Sequence, residues 1–317
     1  MTKNTAPPKP AAGDGLIWLS RRRLAQLRPA AEKLPLRAVR IQSRMVGSHL
    51  SKFRGRGMEF DETRPYQPWD DVRTLDWRVT ARTGQPHTKL YREERERAVL
   101  CWVDFRAPMR FATRGRFKSV QAAETAALLA WAGRGQGDRL GGLAFSEAGH
   151  QELRPMGGDE GVLRLLGMLS DYSATPAEAS DPDRRREAIQ NALVRLRRVA
   201  RPGSLIFLLS DFRGLNNRCE THLAALARHN DLVLLHLYDP LEAELPKAGR
   251  LRLTDGEHSR TLDTRDNGQR QRHQERFLFR RQKLEELSRR HRLHLIPLAT
   301  NDDAAAVLRR MLGRQPR

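Results

Sequence analysis

From residue 98 onward the sequence predicts an α/β fold: a doubly wound, mostly parallel sheet with one antiparallel edge strand, preceded by a loop-rich N-terminal platform. Three observations carry this. Val99–Val103, Leu140–Phe145, Leu205–Leu209 and Leu232–Leu235 are strand-length runs without polar interruption, the pattern of strands covered on both faces. Helical patterns alternate with them. The link from Leu140–Phe145 to its successor around Gln151–Leu153 is too short for a crossover helix, so those two strands form a hairpin.

The elements follow in order. Residues 1–15, rich in Pro, Ala, Lys and Gly, read as a disordered tail. Residues 16–97 form a basic lead-in and platform. Short helical patterns over 16–50 break at Pro29 and Pro35. Ser51 to Arg97 then has few apolar runs but holds Phe53, Phe60, Tyr66, Trp69, Trp77 and Tyr91, more aromatics than a disordered segment carries. Within 98–317, Lys118–Trp131 is an Ala-rich helix ended by glycines. Asp159–Leu169 is a helix with Asp159 as N-cap. Asp183–Ala200 carries Ile189, Leu193 and Leu196 on one stripe. After the strand Leu205–Leu209 come a helix at Thr221–His229, a strand at Leu232–Tyr238 and an edge strand at Ser259–Asp263. A long helix at Arg270–His291, a strand at Leu293–Pro297 and a helix at Asp302–Leu312 complete the chain.

Composition excludes several classes. The longest apolar runs fall far short of the roughly 20 residues of a bilayer span, and no secretory leader is visible. Two cysteines in 317 residues make no disulfide framework. A reducing, cytoplasmic setting is the expectation. The formal charge is +20, and residues 20–56 hold eleven Lys/Arg against the single acid Glu32. Such a stretch suits nucleic acid, an anionic surface or an acidic protein. Neither Gly55-x-Gly57 nor Gly133-x-Gly135-x-Gly137 leads into the Lys-Ser/Thr of a phosphate loop. No nucleophile elbow is present, and Cys101 reads as a core residue. No enzymatic activity is therefore expected.

Two predicted strands end in an acid, Asp104 and Asp211, where open α/β sheets bind ligands. The order of elements resembles the von Willebrand factor A domain, whose metal-ion-dependent adhesion site uses Asp-x-Ser-x-Ser, a Thr and a later Asp. Here the first loop reads Asp104-Phe105-Arg106-Ala107-Pro108, so both Ser positions are lost, and the loop Pro155 to Asp159 offers no Thr. Asp104 and Asp211 are expected as a vestigial, degenerate site, with Arg106 replacing the cation. No cofactor is expected, with Mg²⁺ the alternative that resemblance leaves open.

The stretch from Gly55-Arg56-Gly57-Met58-Glu59-Phe60 through Arg64-Pro65-Tyr66-Gln67-Pro68-Trp69-Asp70-Asp71 and Arg73-Thr74-Leu75-Asp76-Trp77 to Thr80-Ala81-Arg82 resembles the signature of the bacterial family called domain of unknown function 58. Trp69 departs from the family's usual Gly. The resemblance implies a von Willebrand A-like domain and a MoxR-type AAA+ ATPase as partner in assembling or remodelling a client protein. A non-specific nucleic-acid or anionic-surface binder, acting through residues 20–56, is the alternative.

Read physically, Arg64, Arg73, Arg78 and Arg82 stand among Asp70, Asp71 and Asp76, and guanidinium forks match carboxylates. They suit either an ion-pair lattice or a partner-docking surface with Tyr66, Trp69 and Trp77 as anchors.

Overall fold

A computed structural model of the chain describes residues 14–36, 58–93, 97–176, 181–247, 249–254 and 259–313. It divides the chain into two units, residues 42–96 and residues 1–41 with 97–317. The expected tail over 1–13, the Gly55-Arg56-Gly57 opening of the signature and residues 37–56 of the basic stretch lie outside the described residues.

The first described segment belongs to the larger unit. Helix α1 (Arg21–Ala25) starts at Ser20, whose hydroxyl accepts from the Arg23 amide. Asp14 accepts from the Ser20 amide at 2.9 Å and from its hydroxyl at 2.7 Å. Helix α2 (Arg28–Ala31) carries Pro29 in its first turn, where an N–H has no helical partner to lose. Leu19, Leu24, Ala31, Leu34 and Leu36 enter the main core. Trp131 Nε1 donates to the Leu24 carbonyl at 3.3 Å. The segment carries five basic residues, but its buried leucines decide its place.

The smaller unit is built on an antiparallel pair, β1 (Met58–Pro65) and β2 (His87–Glu93), with an irregular register between Phe60 and Glu62. Between them come a 3₁₀ turn at Val72–Thr74 and helix α3 (Trp77–Thr83). Gly84 closes α3 at φ +71°, a left-handed cap that costs glycine no Cβ clash. The sequence leads to a loop-rich platform here, and the strand pair and α3 add regular structure to it. Both strands are polar enough to hide the alternation that marks a half-buried strand.

The α/β unit continues with β3 (Ala98–Asp104), α4 (Lys118–Gly135), β4 (Arg139–Ser146), β5 (Gly149–Met156), α5 (Gly158–Ala174), α6 (Pro182–Val199) and β6 (Leu205–Ser210). Then follow α7 (Asn217–Ala227), β7 (Asp231–Tyr238), α8 (Pro240–Ala243), β8 (Arg250–Thr254), β9 (Ser259–Asp263), α9 (Asn267–His291), β10 (His294–Ala299) and α10 (Ala304–Leu312). The main sheet runs β5-β4-β3-β6-β7-β10, parallel except for β5, which is antiparallel to β4. Along β3, Val99, Cys101 and Val103 face one core while Leu100 and Trp102 face the other, the period-two alternation of a strand. Helices α4, α5 and α10 cover the first face and α6, α7 and α9 the second. Ala-rich α4 is buried on nearly every side, because small side chains let neighbours approach it all round.

Two local expectations change. Helix α5 is capped by Gly157, and Asp159 lies in its first turn. Strand Ser259–Asp263 pairs with Arg250–Thr254 as a separate two-stranded sheet rather than edging the main one. Among the described residues no helix is long and apolar enough to cross a membrane.

If residues 14–36 are part of the folded core, Leu24→Ala lowers unfolding free energy by about 2–4 kcal/mol. Urea titration followed by tryptophan fluorescence reads this. A loosely attached arm would give a change within about 0.5 kcal/mol.

Candidate functional site

Strand order reverses between β3 and β6: the chain goes from β3 outward to β4 and β5, and from β6 outward to β7 and β10. Open α/β sheets bind ligands at the carboxyl ends of the strands flanking such a reversal. Asp104 ends β3, and Ser210 with Asp211 ends β6, so parallel pairing of these strands brings the two acids together.

Arg106 fills the space between them. Its Nε donates to both Asp104 oxygens, at 3.0 and 3.1 Å, and one terminal nitrogen reaches Asp104 Oδ2 at 2.6 Å. The same nitrogen lies 3.7 Å from Asp211 Oδ1. The other terminal nitrogen donates to the carbonyls of Arg185 and Arg213, at 2.9 and 3.1 Å. The side chain is only 1% exposed. Burial alone would loosen the guanidinium proton, but the charge and hydrogen bonds of Asp104, with Asp211 and Glu147 beyond, hold it more tightly than usual.

Lys118, the first residue of α4, supplies a second buried cation. Its Nζ lies 3.1 Å from Asp211 Oδ2 and 2.8 Å from Glu242 Oε1. Arg213, at the rim, reaches the same Glu242 oxygen at 2.9 Å. Burial would raise the Asp211 carboxyl, but Lys118, then Arg106 and Arg213, holds it well below the usual carboxylate range. The Ser210 hydroxyl donates to Asp104 Oδ2 at 2.6 Å and accepts from the Phe212 amide at 2.9 Å. Phe212 sits at φ +53°, a strained position for a bulky residue that its burial and this hydrogen bond maintain.

Asp104 and Asp211 therefore do not fit a divalent cation, since their oxygens already face protein donors. Among the described residues no group of three or more His, Cys, Asp or Glu side chains is placed to hold a metal ion. Cys101 is fully buried, and burial pushes its thiol up to about 12, which suits packing rather than nucleophilic chemistry. A cleft of about 480 Å³ lined by Ser288, Arg289 and Leu293 opens at the start of β10. This is the amino-terminal end of the parallel strands, opposite the carboxyl ends that carry the two acids.

Lys118, Ser210, Arg213 and Glu242 were not singled out in the sequence. One signal was available for Lys118: a cation at the start of an apolar helix opposes the helix dipole unless acids face it. For Glu242 the signal was Asp239-Pro240-Leu241-Glu242, which forms a capping box at α8.

In the smaller unit, Arg64 makes the fork expected of it, donating to both Asp70 oxygens at 2.7 Å. Tyr66 turns inward, its hydroxyl donating to the Asp70 carbonyl at 3.2 Å, so it braces the turn rather than standing out as an anchor. Asp71 accepts from the Arg73 amide, and Asp76 from the amides of Arg78 and Val79, with Lys89 at 3.8 Å. Asp71 and Asp76 cap backbone, and of the expected Arg–Asp pairs Arg64–Asp70 is formed. The guanidinium groups of Arg73, Arg78 and Arg82 have no acidic partner among the described residues. Trp69 and Trp77 are each 68% exposed.

Residues 62–285 match the family described as "Protein of unknown function DUF58". The chain is 33% identical over 211 residues to uncharacterized proteins of Mycobacterium bovis and Mycobacterium tuberculosis. The match covers 67% of this chain and 64% of each of theirs, so this chain spans less than two thirds of their length. Among solved structures it is similar to a conserved hypothetical protein BatB from Bacteroides thetaiotaomicron, with 15% identity, a TM-score of 0.43 and coverage of 68% of this chain and 97% of that one. It is also similar to an aerotolerance-related membrane protein from Bacteroides fragilis, with 14% identity, a TM-score of 0.42 and coverage of 68% and 96%.

The buried network makes two stability predictions. Lys118→Met removes the buried cation shared by Asp211 and Glu242, leaving them only Arg106 and Arg213, and lowers unfolding free energy at pH 7 by about 3–5 kcal/mol in denaturant titrations. That deficit shrinks as pH falls toward 4, because protonating an under-compensated carboxylate relieves it. His236 sits beside the network at 6% exposure, and burial is the main reason its pKa falls to about 4. Between about 4 and the ordinary 6.5 the unfolded chain binds a proton that the folded chain does not. Stability therefore falls by about 3 kcal/mol as pH drops through that window. His236→Leu should flatten this slope, and an unchanged slope would assign it to other groups.

Proposed function

This chain belongs to the DUF58 family, and we propose that it is a non-enzymatic interaction module that acts with a MoxR-type AAA+ ATPase on a client protein. The observation that carries the reading is the pair of tryptophans, Trp69 and Trp77, each two-thirds exposed. They flank a short turn held by Arg64–Asp70 and by the Asp71 and Asp76 caps. Large aromatics left in water on an ordered segment suit the centre of a protein interface.

The α/β unit supports the same reading by what it does not offer. Its sheet order and antiparallel edge suit a von Willebrand A-like domain whose adhesion site is closed by Arg106 and Lys118 instead of a metal. With the strand ends already neutralised, recognition falls to surface side chains. The nucleic-acid alternative draws on residues 20–56. In the described part of that stretch, Arg21 pairs with Asp171 at 2.9 Å, Arg23 donates to the Asp14 carbonyl and Arg28 lies over Trp131. All three stay exposed, each with a partner inside the chain.

Affinity-tagged full-length chain, recovered from its native host in ATP and in ADP, tests the proposal. An AAA+ protein should co-purify in at least one nucleotide state. The double substitution Trp69→Ala, Trp77→Ala should cut its recovery at least tenfold with the melting temperature unchanged. Absence of any AAA+ protein in both states would overturn the reading.

A further inference from the structure

The turn that presents Trp69 and Trp77 also says what chemistry its partner brings. Over residues 69–84 the chain has three acids and three arginines, yet they are disposed differently. Asp70 is locked to Arg64, and Asp76 is buried under the first turn of α3. Asp71 is exposed but turned to the Arg73 amide as a cap. Arg73, Arg78 and Arg82 are all exposed, without an acidic partner among the described residues. Val72, 58% exposed, lies between the tryptophans in the chain.

Arg78 and Arg82 are four residues apart on α3, so they share a helix face with their Cβ atoms about 5–6 Å apart. Like charges at that spacing disfavour the helix in isolation, and an anion bridging them removes the penalty. Guanidinium forks take carboxylates in a bidentate geometry. Resting on the interaction-module reading, we infer that this turn docks an acidic protein segment. The segment carries at least two carboxylates about one helical turn apart, for Arg78 and Arg82, and an apolar side chain for the Trp69–Val72–Trp77 stretch. A protein partner fits better than a lipid surface. Helices that lie in a membrane interface have a long continuous apolar face, whereas α3 has seven residues and buries Val79 and Thr80 halfway.

The test uses full-length chain with a photo-crosslinking benzoylphenylalanine in place of Val72, expressed in the native host, with the attached segment mapped by mass spectrometry. The expected product is a protein segment of net negative charge containing an apolar residue. The double variant Arg78→Glu, Arg82→Glu should lower crosslink yield at least tenfold without moving the melting temperature. Attachment to neutral or basic segments, to lipid or to nucleic acid, no attachment, or a yield indifferent to charge reversal would each overturn the inference. So would flotation with phosphatidylglycerol vesicles that depends on the same two arginines. The two readings fail separately. An acidic crosslink without AAA+ recovery removes the ATPase reading alone. AAA+ recovery that survives the charge reversal removes this one alone.

Discussion

Two carboxylates at neighbouring strand ends, inside a fold, must be neutralised or protonated, and this chain neutralises them with its own cations. A single buried charge left alone costs several kcal/mol. Around the reversal of strand order, Asp104, Asp211 and Glu242 are balanced by Arg106, Lys118 and Arg213. Charge balance alone does not explain the arrangement. The planar guanidinium of Arg106 also satisfies two backbone carbonyls, one at the start of α6 and one after β6. It therefore does what a diffusible ion with no fixed donor directions would not: it ties specific loops to specific positions.

The rest of the α/β unit hangs from these bonds. Lys118 begins α4, the most buried helix, so its pairing with Asp211 and Glu242 sets where that helix starts relative to β6 and α8. Glu242 also accepts from the Asp239 amide. Asp239 in turn accepts from Thr113 and Thr300, in the loops after β3 and β10. One run of hydrogen bonds thus joins the carboxyl ends of β3, β6, β7 and β10. Satisfied networks of this kind rigidify a site, and they hold Phe212 in its strained backbone position.

The parts of this structure readable from sequence were those with local causes. Val99–Val103 and Leu205–Leu209 are apolar because both faces are covered, and the tight link before Gln151 permits only a hairpin. Asp104, Arg106 and Asp211 could be grouped because strand ends in such sheets converge. Lys118 and Glu242 could not, since they lie 124 residues apart and meet only through the fold. In the smaller unit, residue type misled. Arg and Asp in alternation suggest a lattice, but an Asp just before a helical turn finds backbone N–H groups first. Residues 14–36 misled in the opposite way, because their arginines mask five small and aliphatic residues that belong to the core.

Arginine is thus used in two ways in this basic chain, enclosed at Arg106 and exposed at Arg78 and Arg82. Where a guanidinium is enclosed, as at Arg106, every donor direction is spent on the fold, and the residue cannot also recognise anything. Where it is exposed on a braced turn, as at Arg78 and Arg82, the backbone caps hold Asp71 and Asp76, and no acid among the described residues pairs with it. Placing Asp71 and Asp76 under the turn therefore does two things at once: it stabilises the turn and keeps the arginines available. The acidic docking segment we infer would meet there the same guanidinium–carboxylate geometry that closes the interior, and the exposed tryptophans add the apolar area that charge alone lacks.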